Sequence, residues 1–306
     1  MKTMKGPRLF LLTAVLATAS STSALADEVA WLTNFEQAKA RASKEKKDIL
    51  IEFAGSDWSP ESERLRRRVF RKSVFQTQVP KHFILLSLDN PRDKSKQTAA
   101  QKKSHQKLAK KFHISGTPTV LLVDTEGTPY VKIIGYIDTV ADAYVADLIA
   151  GRKIRRRRDQ FLAQASTAKG IKKAKLLHGA IAGIDTNLLL TNYKHLIDEI
   201  RRLDADNRAG LKERYEALIR LAEIKSGIGR EKPDVTLAKL ESLQKEFKLQ
   251  GRDLQHVLFF QAPLIFRKDR ERCKQTLQTA YTLAPDSKEG KQIATMLKKV
   301  FGFNVK

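Results

Sequence analysis

The sequence predicts an α/β domain, a central mixed sheet flanked by helices, followed by an all-α domain of helical hairpins. Three observations lead there. A β-rich apolar run, Ile49 to Phe53, passes through a loop holding Gly55 and Trp58 into a helix opened by Pro60, a favoured first-turn residue. Ser115-Gly-Thr-Pro-Thr119 runs directly into Val120-Leu-Leu-Val123, so a proline opens a core strand, where it lacks a ladder donor. From about Asp159 onward, apolar residues recur at helical spacing between short Gly, Asn or Asp breaks.

Taken in order, residues 35–46 read as a helix ahead of the first strand. Ser59 stands where an N-cap is needed before Pro60. Leu65, Val69 and Phe70 give the next helix an apolar stripe, and its other face carries Arg64, Arg67, Arg68 and Arg71. A second strand is expected at Phe83 to Leu88, then a polar helix from about Ser95 to Lys111. A cis Thr117–Pro118 bond in a tight turn would accommodate the proline. Thr125 to Thr128 reads as a hairpin turn, Tyr130 to Ile134 as the returning strand, and Val140 to Ile149 as a closing helix. The result is a βαβ half followed by a ββα half.

At the N-terminus, Lys2, Lys5 and Arg8 precede an apolar stretch, Leu9 to Ala17, and the small-x-small site Ala24-Leu25-Ala26. Residues 1–26 therefore read as a secretory signal peptide, and the chain is expected to be exported, periplasmic or secreted, in a bacterium. No later stretch approaches a spanning length. The chain carries 58 Lys and Arg against 34 Asp and Glu, a formal net charge of +24. Such charge favours anionic partners. Nucleic acid is not expected for an exported chain, which leaves anionic lipid, lipopolysaccharide or acidic glycan, or a chain that is merely basic.

The loop Gly55-Ser-Asp-Trp-Ser-Pro-Glu-Ser62, the following Leu65, Val69 and Phe70, and Gly116-Thr-Pro-Thr119 resemble the thioredoxin superfamily over residues 30–150. The resemblance is to secreted bacterial thioredoxin-like proteins whose loop reads Gly-Ser-Asp-Trp-Cys-x-x-Cys. Here Ser59 and Ser62 stand at both cysteine positions. Thiol–disulfide exchange needs a thiolate and a resolving sulfur, and a serine supplies neither. In the family, the cis-proline loop lies beside the redox motif and its backbone pairs with an extended peptide, which needs no thiol. That implies Trp58, Ser59, Pro60, Thr117 and Pro118 as peptide-binding candidates. Glu52 falls where the family often has a buried acid serving the resolving cysteine; a surface-facing Glu is the alternative.

A serine nucleophile would need a base and an oxyanion hole. His82, His105 and His113 have no spacing that places one near the loop, and Gly-x-Ser-x-Gly is absent. No catalytic residue, metal or cofactor is therefore expected. Cys273, the single cysteine, sits in a helical pattern and reads as a small buried side chain. Gly151-Arg-Lys-Ile-Arg-Arg-Arg-Arg158 is the densest run of charge. It reads either as a solvated helix start or as an anion-binding junction of Arg155, Arg156, Arg157 and Arg158, joined by Arg64, Arg67, Arg68 and Arg71. The expected division is a leader over 1–26, the thioredoxin-like domain over 27–151, a basic junction over 152–158 and helical hairpins over 159–306. An echo between Leu203-Asp-Ala-Asp-Asn-Arg-Ala-Gly210 and Leu283-Ala-Pro-Asp-Ser-Lys-Glu-Gly290 weakly resembles tetratricopeptide-like repeats, which bind peptides or partner proteins. The function expected is a redox-inactive envelope protein that binds peptides or protein partners. The alternatives are a thiol–disulfide oxidoreductase or isomerase, as in the family, and an electrostatic adaptor for anionic polymers.

Overall fold

The computed structural model describes residues 29–305; the expected signal peptide lies outside them. α1 (Phe35–Glu45) is capped by Asn34, whose side chain accepts the Gln37 N–H, and it stops at Lys46 in the left-handed region. β1 (Asp48–Ala54) follows, buried throughout because it is an inner strand of a four-stranded sheet ordered β2-β1-β3-β4. β2 (Phe83–Asp89) pairs parallel with β1, setting Leu50 opposite Leu85 and Glu52 opposite Ser87. β3 (Thr119–Val123) and β4 (Pro129–Ile134) complete the sheet antiparallel, with Pro129 confined to the edge strand.

Between β1 and β2 lie α2 (Pro60–Leu65), a π-helical turn over Arg66–Phe70, and α3 (Ser73–Gln78). The wider turn is closed by the Arg71 N–H donating to Arg66 O at 2.9 Å. It lets Leu65, Val69 and Phe70 all reach the core, as their apolar character demands. α4 (Ala99–Lys111) connects β2 to β3. Alternation along the strands separates two cores. Leu50, Leu85, Val120 and Leu122 face α2, α3 and the helix after β4, whereas Ile49, Ile51, Leu121 and Val123 face α1 and α4.

That helix, α5, runs unbroken over Ala141–Thr167, where the sequence suggested an end near Ile149 and a separate basic junction over 152–158. The boundary residue Gly151 is no helix breaker. It sits where the helix approaches the sheet so closely that a Cβ would lie 3.0 Å from Leu122 Cδ1 and 3.2 Å from Val131 Cγ2. α5 therefore belongs to both parts of the molecule, its first half on the sheet and its second half packed on α6 (Gly170–Ile181).

An all-helical region follows: α7 (Thr186–Asn192), α8 (Lys194–Leu203), α9 (Leu211–Gly227), α10 (Pro233–Glu246), α11 (Gly251–Phe266), α12 (Arg270–Leu283) and α13 (Lys288–Phe301). α6 packs on α8, and from α8 onward each helix packs on the next. The two echoed turns are built differently. At the first, buried Asp204 accepts the N–H groups of Ala209, Leu211 and Lys212, and Gly210 takes φ +68° at the start of α9. At the second, Ser287 caps α13 by accepting the Gly290 N–H, and Gly290 is helical, with room for no Cβ beside Ala284 O. The matched glycines do different work, so the two turns are not equivalent in their local structure.

Candidate functional site

The loop after β1 is fixed from several sides. Trp58 Nε1 donates to Asn90 O at 2.8 Å, and its ring lies against Gly55, where any Cβ would overlap it. Asp57 accepts the N–H groups of Arg92 and Asp93 at 2.8 and 3.0 Å, which hold its carboxyl below the ordinary Asp range. Ser59 caps α2: its Oγ accepts the Ser62 N–H at 3.2 Å and donates to Thr117 O at 3.4 Å. Ser62 Oγ accepts the Gly55 N–H at 3.3 Å. The two hydroxyls are 7% and 2% exposed by residue, and both serve the backbone.

Thr117 and Pro118 stand beside this loop, joined by a cis peptide bond. Pro118 O accepts the Gly135 N–H at 2.8 Å, which brings the chain after β4 alongside. Gly135 lies near Glu61 at the start of α2. The structure thus assembles Trp58, Ser59, Pro60, Thr117 and Pro118 at one place, with Ile134 paired to Thr119 and Ile137 two residues beyond Gly135. Trp58, Ile134 and Ile137 are exposed, Ile137 by 84%. Sequence reasoning did not single out Ile134 or Ile137; an apolar residue at the end of β4 and another three residues beyond it, with no polar alternation to explain them, were the available signal.

Glu52 is buried, not surface-facing. It lies on the α2 side of β1, where Oε2 accepts from Arg66 Nη2 at 3.1 Å and Ser87 Oγ at 3.3 Å. Its Oε1 and the nearby Tyr144 hydroxyl are buried with no hydrogen-bond partner among the described residues. Burial pushes the Glu52 carboxyl above the ordinary range, against the pull of Arg66.

The anion-binding band is broken up by internal pairing. Arg155 bonds buried Asp48, which also accepts from Tyr130 Oη at 2.8 Å and Arg152 Nε at 3.2 Å. Arg158 is 5% exposed and donates to Asp124 Oδ2 at 2.7 Å, Tyr193 Oη at 2.9 Å and Asp159 Oδ1 at 2.8 Å. Arg158 is thus held by carboxylates inside the fold, and Arg155 is half-buried and paired with Asp48 and Asp159. Arg156 and Arg157 remain exposed, Arg157 over the Phe161 ring. On the α2 face, Arg68 grips Asp138 with two bonds of 2.7 and 2.6 Å and Arg71 lies 3.6 Å from Glu63, leaving Arg64 and Arg67. Helical periodicity explains the division: every third or fourth residue of the run turns inward. Cys273 is buried in α12, where burial pushes its thiol pKa up.

Residues 35–144 match the family model described as a thioredoxin-like domain. Over 122 residues, 40% of this chain and 72% of the relative, the sequence is 24% identical to the disulfide bond reductase DsbH of Chlamydia pneumoniae. Among solved structures, the DsbH oxidoreductase is similar over 49% of this chain and 95% of that one, at 21% identity and a TM-score of 0.39. The oxidised C-terminal domain of Neisseria meningitidis DsbD is similar over 40% of this chain and 99% of that one, at 16% identity and a TM-score of 0.31. Residues 35–144 form a thioredoxin-like domain, and over those residues the chain resembles the thioredoxin superfamily.

Proposed function

We propose that this protein is an exported, redox-inactive thioredoxin-fold protein that binds an extended segment of a partner protein at the Trp58–Pro118 loop. One observation carries the reading: Ser59 and Ser62 are both committed to the backbone, as a helix cap and as an acceptor for Gly55. The C. pneumoniae relative is a disulfide bond reductase, and disulfide reduction needs two sulfurs in turn. This chain has one, and it lies in the helical region. What the loop offers instead is a surface. The bond from Ser59 to Thr117 O is long, and a carbonyl has two lone pairs, so Thr117 O retains capacity for a peptide N–H. Trp58, Ile134 and Ile137 supply apolar anchors around it.

Reduction of insulin disulfides by the purified chain, beside a Ser59→Cys/Ser62→Cys variant, tests the redox half. Inactivity of the parent is expected; turnover that survives Cys273→Ala would overturn the reading and favour an oxidoreductase. For the binding half, Ile137→Asp is expected to abolish capture of an extended peptide selected on the parent, with the thermal midpoint unmoved.

A further inference from the structure

Between Asp93 and Asp124 the chain contains no carboxylate and seven lysines. Most of them belong to α4, where Lys102, Lys103, Lys107, Lys110 and Lys111 are exposed. None of these five has a carboxylate within 4.0 Å among the described residues, unlike the inward arginines of α5. The helix is otherwise well formed: Thr98 and Gln101 make a reciprocal capping box, and His105 and Leu108 face the core. Its lysines are therefore held at fixed places on a rigid element.

α1 lies beside α4 on the same side of the sheet. Phe35 of α1 packs edge-on against Phe112 at 5.9 Å, and Lys39 and Lys111 both sit over the Phe35 ring, at 5.7 and 5.5 Å. α1 adds exposed Lys44, and Lys46 follows at its cap; its two carboxylates, Glu36 and Glu45, are taken by Lys39 and by Arg41 with Lys47. Two helices thus form a broad basic face. It lies across the sheet from α5, the helix that continues into the helical region.

We propose that the α1–α4 face docks the protein on an anionic membrane surface. The cations there are almost all lysine. Lysine is a compact point charge suited to a diffuse field, whereas arginine's planar fork suits fixed bidentate recognition of individual phosphates. Two neighbouring helices on one side of the sheet present an area, not a groove for a single polymer strand. The large apolar side chains exposed elsewhere on the molecule, from Trp58 to Phe303, include none on α1 or α4. Binding is consequently electrostatic and reversible, with no inserted anchor.

The test is co-sedimentation of the full chain with phosphatidylcholine vesicles containing roughly one-quarter phosphatidylglycerol, at about 0.05 M and about 0.5 M salt. Binding is expected at low salt, lost at high salt, and absent on phosphatidylcholine alone. Each lysine near an anionic surface contributes about fivefold, so changing Lys102, Lys103, Lys107, Lys110 and Lys111 to Gln should weaken partition by at least ~50-fold. Glutamine keeps the helix propensity, and an unchanged circular dichroism melt confirms the fold. A control changes Lys172, Lys175, Lys245, Lys248 and Lys291 of the helical region to Gln, removing the same charge from the same chain. Comparing the two variants cancels any contribution from residues 1–28. Equal losses in the two would mean that net charge alone acts and would overturn the proposal. So would absence of binding to the anionic vesicles, or α4-dependent binding to soluble dextran sulfate without vesicle binding.

Discussion

Arg158 donates to Asp124 in the turn after β3, to Tyr193 between α7 and α8, and to its neighbour Asp159. Tyr193 passes the tie onward by donating to Pro129 O at 3.0 Å, on the edge strand. One guanidinium therefore bridges the sheet and the helical region, and it is buried with its carboxylate. Removing one member of such a pair leaves the other charged and unpaired, which costs about 3–5 kcal/mol. Arg158→Ala is expected to lower stability by that amount in urea unfolding, whereas Arg156→Ala, two residues away and exposed, should stay within about 0.5 kcal/mol. Comparable effects of the two would remove the bridge as an explanation. The charge of this run was legible in the sequence. Its sidedness was not, because Asp48 and Asp124 lie far away in the chain and only the fold brings them against α5.

At the scale of elements, α2 was the most legible, since Ser-Pro is a start signal and the apolar residues that follow have one core to face. Its cap makes a prediction: Ser59→Ala should cost about 1 kcal/mol, while Ser59→Asp, which keeps an acceptor for the Ser62 N–H, should recover most of it. An unchanged midpoint in the alanine variant would mean that Ser59 does not hold the helix start. The strands and the order of the two halves were also legible, because buried β1 and β3 are short continuous apolar runs. α3 was not, since six residues carry too little periodicity to mark a helix. The continuity of α5 was hidden by Gly151, which reads as a break until the close approach of Leu122 and Val131 shows that a Cβ there would crowd the sheet. Of the candidate site, the residues implied by the loop resemblance come together. Ile134 lies beside them through its pairing with Thr119, and the hydrogen bond from Gly135 to Pro118 fixes the start of the segment that carries Ile137.

For the whole molecule, the two parts enclose a cleft of about 390 Å³ lined by Lys132 of β4, His178 of α6, Arg214 and Tyr215 of α9 and Asp253 of α11. His178 Nδ1 and Tyr215 Oη are 2.8 Å apart, and burial, with Arg214 and Arg157 adding repulsion, lowers the imidazole pKa from 6.5 to about 4. A neutral ring accepts the tyrosine proton; a protonated one would face two arginines. In the unfolded chain the same histidine takes up its proton near pH 6.5. Between these values the unfolded state binds more protons, so stability falls as pH drops from 6.5 towards 4. Because the ring is partly solvated, the loss is about 1–2 kcal/mol, less than the full shift would give. Glu45, Asp57, Asp93 and Asp204 have lowered carboxyl pKa values and also lose stability in acid, so the wild-type curve alone does not isolate the histidine. His178→Gln does, since it keeps a polar group near Tyr215 but cannot titrate. Its urea-unfolding free energy should fall less steeply than the parent's between pH 6.5 and pH 4, the two curves running parallel above that window. Curves that stay parallel throughout would mean that the histidine protonates without cost, and that the cleft is open enough to water to leave its charge unopposed.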